Sequence, residues 1–168
     1  SNADVYATLA RPLVQSLLHG YNAVIFAYGQ TASGKTFTLS GDAARGEAGV
    51  IVRAVHDVFH GICQVPDREF LLRVSYLEIW NEIVKDLLEP SNVPQVRDDR
   101  RRGVSVAPLH EAVVTSPAQV FQLLARGEAN RHVGATDWNE RSSRSHTCLK
   151  FTLESWARTP GAKRPYRV

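Results

Sequence analysis

The chain has 168 residues, of which 43% are hydrophobic and 22% charged, the size and composition of one globular domain. Its formal net charge of +3 is too small to indicate nucleic-acid binding by itself, and no apolar run approaches the roughly 20 residues that cross a bilayer. The two cysteines, Cys63 and Cys148, have no metal-like spacing, so reduced thiols in the cytosol or nucleus are expected.

The first three residues, Ser1, Asn2 and Ala3, resemble the scar left when an expression tag is cleaved, and they are excluded from the predicted domain. The sequence contains no methionine and so no natural start residue. We therefore expect residues 4–168 to be an excised segment of a longer protein.

Apolar residues recur at helical spacing over residues 5–18 and predict a helix that Gly20 ends, with a break or kink at Pro12. Residues 23–28 (AVIFAY) form a short, nearly continuous apolar run, which is typical of a strand buried on both faces. A glycine-containing loop follows, and a helix of a turn or two is predicted from Lys35.

The middle of the chain alternates between helical and extended patterns. Residues 41–49 read as a loop, residues 50–62 as a helix and residues 70–79 (FLLRVSYLEI) as a strong strand. Residues 80–88 fit either a continuation of that strand or a helix, and residues 90–103 read as a polar connection.

The last third repeats this alternation. Residues 104–114 predict one or two short strands, and Ser116-Pro117 caps a helix over residues 116–127. Residues 130–146 are polar and irregular, residues 148–156 alternate as a strand, and residues 157–168 form a basic tail. Strands that alternate with helices indicate an α/β sandwich with a mixed sheet.

The loop after the first predicted strand fits G-x-x-x-x-G-K-[ST] at every fixed position. Its glycines let successive backbone N–H groups curl around an anion, Lys35 supplies a charge for the β and γ phosphates, and Thr36 offers a hydroxyl to Mg²⁺. A glycine turn with an incidental Lys-Thr pair is disfavoured because a strand and a helix are predicted on either side. The predicted phosphate-binding residues are Gly29, Gln30, Thr31, Ala32, Ser33, Gly34, Lys35 and Thr36.

A second dense polar stretch, NERSSRSH, occupies residues 139–146. Taken alone, its serines, arginines and histidine favour a solvated turn or a set of phosphorylation sites. Beside a phosphate loop they also fit a nucleotide switch, because such switches use hydroxyl groups to sense the γ-phosphate and its metal.

Three segments in this order, GYNAVIFAYGQTASGKTFTLSG, VSYLEIWNEIVKDLL and NERSSRSH, resemble the kinesin motor domain. The resemblance covers residues 4–168, and residues 132–156 are similar to the centromere-associated subfamily and its fungal relatives. It implies a partial kinesin-type P-loop NTPase fold of the α/β class, with a mixed sheet flanked by helices, and it implies ATP or ADP with Mg²⁺ as cofactors.

The resemblance also identifies residues 139–146 as the family's first switch (switch one) and assigns roles to single residues. Phe37 would lie near the adenine, and Thr36 and Ser142 would belong to the Mg²⁺ site. Ser142 and Ser143 would contact Mg²⁺-bound water and the γ-phosphate, and Arg144 would pair with a glutamate of the family's second switch. Catalytic roles are therefore expected for Ser142, Ser143 and Arg144.

Two further matches have simpler alternatives. Tyr76, Glu78 and Asn81 fall in the family's SYLEIYNE strand, which the residues themselves favour as a plain core strand. The basic stretch from Arg97 to Arg102 matches a region that leads into a tubulin-contacting loop in kinesins, but it also fits a solvated connection.

Two family segments do not occur in the sequence: the second switch, D-x-x-G-x-E, and the opening strand with its R-x-R-P motif. The expected fold is incomplete because both of those strands are absent. In the family fold the missing second-switch strand lies between the strands of AVIFAY and CLKFTLES. Its absence would leave backbone N–H and C=O groups on both strand edges unpaired, so we expect local rearrangement or pairing with a second chain. Without a second switch, little or no ATPase activity is expected from this piece alone.

The leading hypothesis is the phosphate-loop and switch-one part of an ATP-driven microtubule motor. A non-catalytic kinesin-like module that binds tubulin or a partner is the alternative, and a P-loop kinase or small GTPase is disfavoured because N-K-x-D is missing. The expected partners of the parent protein are microtubules, without nucleic acid or membrane, and the fragment is expected to self-associate through strand edges. The expected location is the cytoplasm and the microtubule cytoskeleton, including the spindle.

Overall fold

The computed structural model of the chain describes residues 1–100, 103–133, 145–158 and 166–167. The described helical segments are α1 (Asn2–Val5), a π-helical turn (Tyr6–Ala10), α2 (Arg11–Leu18), α3 (Lys35–Leu39), a 3₁₀ turn (Ala43–Arg45), α4 (Val50–Cys63) and α5 (Pro117–Val133). The described strands are β1 (Gly41–Asp42), β2 (Glu47–Ala48), β3 (Arg68–Trp80), β4 (Ile83–Asp86), β5 (Gln95–Asp99), β6 (Gly103–Ala107), β7 (Ala112–Val114), β8 (Ser145–Ala157) and β9 (Tyr166–Arg167).

The longest sheet has the order β4-β3-β8-β9, and β7 also pairs with β3. Two separate hairpins, β1-β2 and β5-β6, complete the described strand pairing. The predicted combination of helices with a sheet is confirmed, and each strand pair whose register is described is antiparallel. No helix in the described ranges is long and apolar enough to cross a membrane.

The chain forms two compact units, which are described here one at a time: Ser1–Leu71 with Leu153–Val168, and Leu72–Thr152. In the first unit the predicted helix over residues 5–18 is present and begins earlier, at Asn2. The Arg11 amide donates to the Tyr6 carbonyl, five residues back, which gives one widened turn. Pro12 follows at once, and because proline has no N–H and crowds the preceding turn, the widening accommodates it.

The core of this unit forms where the first helical stretch meets α4. Tyr6, Ala10 and Val50 are buried together, and Leu39 and Ala54 pack against them. The Tyr6 hydroxyl donates to Asp57 Oδ2 at 2.8 Å. A buried tyrosine is stabilised when its hydroxyl finds such a partner, so this hydrogen bond fixes the helix pair.

The expectation of a buried strand over residues 23–28 is wrong. No strand is assigned there, and Val24, Phe26 and Tyr28 are 77%, 81% and 95% exposed. A continuous apolar run is buried only if neighbouring elements cover both of its faces, and none of the described strands pairs with this segment. The expected local rearrangement or pairing with a second chain stays a prediction.

In the second unit, β3 and β4 form a hairpin in which Trp80 lies opposite Ile83. Asn81 and Glu82 make the turn with φ angles of 50° and 61°. A two-residue turn with both φ values positive matches the twist of antiparallel strands. Trp80 ends β3, and the chain then turns back as β4 without forming a helix, which corrects both alternatives.

The predicted polar connection over residues 90–103 is wrong over part of its length. Residues 95–99 form β5, which pairs with β6 from Gln95 opposite Ala107 to Asp99 opposite Gly103. The prediction of one or two short strands over residues 104–114 is confirmed by two strands, β6 and β7.

α5 continues to Val133 rather than ending near Gly127. An added Cβ at Gly127 would overlap the ring of Tyr76, so the glycine allows close packing inside the helix. The core of this unit consists of Tyr76, Leu87 and Leu88, with partly buried neighbours that include Leu123, Leu124 and Leu149.

Candidate phosphate-binding site

The loop over residues 29–36 curls tightly. Ala32 and Gly34 have φ angles of 64° and 89°, and the Ser33 amide donates to the Gln30 carbonyl at 3.2 Å. An added Cβ at Gly29 would overlap the Ser33 hydroxyl. Gly34 is therefore favoured by its left-handed conformation, and a side chain at Gly29 would require the Ser33 hydroxyl to move.

Lys35 closes this loop with its own side chain. Its Nζ donates to the carbonyl oxygens of Gly29 and Gln30, each at 2.7 Å. Two charge-assisted hydrogen bonds hold the ammonium group over the curled backbone. A positive charge is thus fixed at the loop, where the motif predicts it.

The helix predicted from Lys35 is present, with Gly34 as its N-cap residue. Thr36 and Phe37 lie in its first turn, and both side chains are exposed. The Asn2 side chain donates to the Phe37 carbonyl at 2.9 Å, which ties the start of the chain to this helix. α3 therefore presents an exposed threonine and an exposed aromatic ring directly after the lysine.

These residues fit a nucleotide phosphate with its metal. The loop is exposed, its backbone is curled, and a lysine is fixed beside it. Within the described ranges no group of three or more His, Cys, Asp or Glu side chains is placed to hold a metal ion. Mg²⁺ typically takes one or two protein oxygens and completes its shell with phosphates and water, which suits the Thr36 hydroxyl.

An apolar groove of about 410 Å³ lies next to this loop. Its lining includes Val5, Leu9 and Leu13 from the first helical stretch, residues 24–28, and Lys35. Because its walls are largely hydrocarbon, the groove does not suit an anion. The predicted phosphate site is therefore the loop, not this groove.

The predicted switch-one residues Ser142, Ser143 and Arg144 lie outside the described residues. The same holds for Arg101 and Arg102 of the basic stretch. Tyr76 and Glu78 are described and are buried in β3, as the core-strand alternative expects. Asn81 lies in the turn after β3.

A polar cluster in the second unit was missed by the sequence reasoning. Arg131 of α5 donates from Nε to Glu78 Oε1 at 3.3 Å and from a terminal nitrogen to Ser145 Oγ at 3.0 Å. A further nitrogen lies 3.5 Å from Glu128 Oε2. The spacing of Glu128 and Arg131, three residues apart on a helix, was the available signal.

Tyr76 joins the same cluster by donating its hydroxyl to Glu128 Oε1. Burial raises the pKa of Tyr76 well above its ordinary value, and the hydrogen bond to Glu128 raises it further. The tyrosine therefore stays protonated and keeps donating at any physiological pH.

A family model described as the kinesin motor domain matches residues 1–166. Human centromere-associated protein E is 49% identical over 155 residues, which are 90% of this chain and 6% of that protein. Kinesin-like protein KIN-7L of Oryza sativa subsp. japonica is 49% identical over 159 residues, 94% of this chain and 24% of that protein. The chain thus spans less than a quarter of the length of either relative.

A solved structure described as that of a fast kinesin superposes with a TM-score of 0.87 at 36% sequence identity. The match covers 96% of this chain and 47% of that one. Both the sequence and the fold therefore agree with the same family over nearly the whole chain.

Proposed function

The chain belongs to the kinesin motor-domain family, and from this premise we propose that it binds ATP and ADP with Mg²⁺ at residues 29–37. The observation that carries the proposal is the Lys35 ammonium group, held by two carbonyls over a loop that fits the motif at every position. We propose further that the parent protein hydrolyses ATP to move along microtubules.

In this proposal Lys35 contacts the β and γ phosphates, Thr36 and Ser142 hold Mg²⁺, and Phe37 lies near the adenine. Bound Mg·ATP supplies the phosphoanhydride bond and neutralises part of its charge. Ser143 contacts the γ-phosphate, and Arg144 forms an ion pair with a glutamate of the second switch in the parent protein. Since D-x-x-G-x-E does not occur in the sequence, we propose that the 168-residue chain itself has little or no ATPase activity.

The test is a titration of the chain with a fluorescent ADP analogue in Mg²⁺. Lys35→Ala removes a charge-assisted phosphate contact and is expected to weaken binding roughly ten- to a hundredfold. Lys150→Ala, at an exposed lysine of β8, is the matched control and should leave the affinity within about twofold. Equal affinities for the two variants would contradict the phosphate-loop proposal.

The alternative, a non-catalytic module, makes a different prediction for the parent protein. A motor increases its ATP turnover when microtubules are added, whereas a binding module cosediments with microtubules without turnover. The basic stretch from Arg97 to Arg102 is the proposed tubulin contact in either case, and its described members Arg97 and Arg100 are exposed. The proposed location of the parent protein is the cytoplasm and the microtubule cytoskeleton, including the spindle. Its proposed partners are microtubules, without nucleic acid or membrane.

We also propose that the chain self-associates through residues 22–28. This stretch (NAVIFAY) carries no charge and no proline, is rich in β-forming side chains and pairs with none of the described strands. Exposed edges of this kind pair with another copy of themselves. Light scattering should show a mass that rises with concentration, and Phe26→Lys should suppress the rise. A monomer at all concentrations would exclude the proposal.

A further inference from the structure

Two histidines lie one helical turn apart on the outer face of α4. His56 and His60 are both exposed, whereas Ala54 and Gly61 of the same helix face the first helical stretch. Side chains four residues apart on an α-helix are neighbours, with Cβ atoms about 5–6 Å apart. The helix of 14 residues therefore presents two imidazole rings side by side to solvent.

Imidazole is a common ligand of divalent transition metals, and two histidines at this spacing on a helix can bind one ion together. His56 also interacts with another group of the chain. That interaction is compatible with metal binding, because one ring nitrogen can be held by the protein while the other binds the metal. His60 lies in the last turn of α4, where the negative end of the helix dipole favours a cation.

The stretch HDVFH over residues 56–60 resembles the H-E-x-x-H pattern of zinc proteases, in which the acidic residue is a general base. Asp57 is committed elsewhere, since its Oδ2 accepts from the Tyr6 hydroxyl at 2.8 Å and from Arg11 Nε at 3.1 Å. Among the residues that the structure describes, no third His, Cys, Asp or Glu side chain is placed to join the two histidines around an ion. The arrangement therefore suits metal binding and not hydrolysis.

We propose that His56 and His60 form a surface site for one divalent transition metal ion of the Ni²⁺, Cu²⁺ and Zn²⁺ class. Both imidazole rings bind the ion, and water fills its other positions. Mg²⁺ does not compete for this site, because it prefers oxygen ligands. The site uses none of the residues of the proposed nucleotide site, so either proposal can fail without the other.

The first measurement is a calorimetric titration of the chain with Ni²⁺ at neutral to slightly alkaline pH, without nucleotide and in a buffer that does not bind metals. Ni²⁺ is the probe because the exposed thiol of Cys63 can reduce Cu²⁺. One ion per chain is expected. His56→Gln and His60→Gln should each weaken binding roughly a hundredfold, because a single imidazole lacks the gain from binding the same ion twice.

The variants are chosen to keep the fold. Both positions are exposed, and glutamine has a high helix propensity, so neither change should unfold α4. His110→Gln makes the same chemical change at an exposed histidine outside α4 and should leave the affinity within about twofold, since the pair is intact. Absence of Ni²⁺ binding by the unsubstituted chain, or equal affinities in the three variants, would overturn the proposal.

A further variant tests whether the thiol is the true ligand. Cys63 is exposed and lies three residues after His60, so it faces nearly the same side of the helix. Cys63→Ser should bind Ni²⁺ as tightly as the unsubstituted chain. Loss of binding in this variant would show that the histidine pair is not sufficient and would contradict the assignment.

The second measurement is the order of affinities among metal ions. Nitrogen ligands predict that Ni²⁺ binds more tightly than Co²⁺, that Co²⁺ binds more tightly than Mn²⁺, and that Mg²⁺ does not displace Ni²⁺. Mg²⁺ or Mn²⁺ binding as tight as that of Ni²⁺ would indicate oxygen ligands and would exclude the histidine site.

The third measurement uses stability, because the two imidazoles are held as neighbours only while α4 is folded. A ligand that binds only the folded chain stabilises it, so increasing Ni²⁺ should raise the urea midpoint of the unsubstituted chain. The midpoint of His60→Gln should change little under the same conditions. Equal shifts in the two chains would show that Ni²⁺ acts elsewhere, and the proposal would then be wrong.

Discussion

At Gly127 the backbone of α5 approaches β3 so closely that an added Cβ would overlap the ring of Tyr76 and lie 2.9 Å from its Cε1 atom. That ring cannot move aside easily, because its hydroxyl is bonded to Glu128 and the residue is buried. A glycine inside a helix ordinarily costs about 1 kcal/mol relative to alanine. Here the cost is offset by the packing that it permits.

We predict that Gly127→Ala lowers the free energy of unfolding by about 1–3 kcal/mol, since overpacking outweighs the gain in helix propensity. Gly61→Ala in α4 is the matched control: its Cβ would meet only the end of the Leu18 side chain, which can rotate away. Urea denaturation followed by circular dichroism gives both values. A Gly127→Ala chain as stable as the unsubstituted one would show that the helix can shift at no cost.

At the scale of elements, one carboxylate organises the end of the β3-β4 hairpin. Asp86 is buried at the end of β4, and its Oδ1 accepts from the amides of Leu88 and Glu89 at 2.9 and 3.0 Å. Its Oδ2 accepts from the Asn92 side chain at 2.9 Å and from the His110 amide at 2.6 Å. The chain after β4 and the approach to β7 are therefore bonded to the same side chain.

We predict that Asp86→Asn destabilises the chain by about 2–3 kcal/mol, because an amide nitrogen replaces one acceptor and faces donors it cannot pair with. Asp98→Asn, at an exposed site on β5, is the control and should change stability by less than about 0.5 kcal/mol. The midpoints of urea denaturation decide the comparison. Similar midpoints for the two variants would contradict the role given to Asp86.

At the scale of the whole molecule, two buried tyrosines link stability to alkaline pH. Burial is the main cause that raises the pKa values of Tyr6 and Tyr76 above their ordinary value of 10.0, and hydrogen bonds to Asp57 and Glu128 add to it. Above pH 10 the unfolded chain releases these protons while the folded chain keeps them. The stabilisation is thus complete below pH 10 and is lost as the pH rises further.

We predict that the free energy of unfolding falls above pH 10 by at most about 1.4 kcal/mol per pH unit for each of the two tyrosines. Replacement of both by Phe should flatten this slope, whereas Tyr28→Phe, at a 95% exposed position, should leave it unchanged. Urea titrations between pH 9 and 11 measure it. An identical slope in all three chains would contradict the assignment.

The parts that could be predicted from the sequence depend on local geometry. The loop around Gly29, Gly34 and Lys35 follows from short-range backbone requirements, and the structure has the predicted helix start at Lys35. The cluster of Tyr76 with Glu128 could not be predicted, because its partners are 52 residues apart and meet only through the packing of α5 on β3. The prediction of a buried strand over residues 23–28 was wrong for a related reason. Apolar character predicts burial, but a strand is buried only when neighbouring elements cover it.

The first helical stretch, from Asn2 to Leu18, has a practical consequence for expression screening. It carries one buried stripe of Tyr6, Ala10 and Val14, and a second stripe that lines the groove, namely Val5, Leu9 and Leu13. If residues 2–18 are randomised and variants are selected for the yield of soluble protein, the first stripe should remain apolar. Acidic residues should be accepted in the second stripe. The two stripes would thus differ in the amino acids that they tolerate, although both are apolar in the sequence.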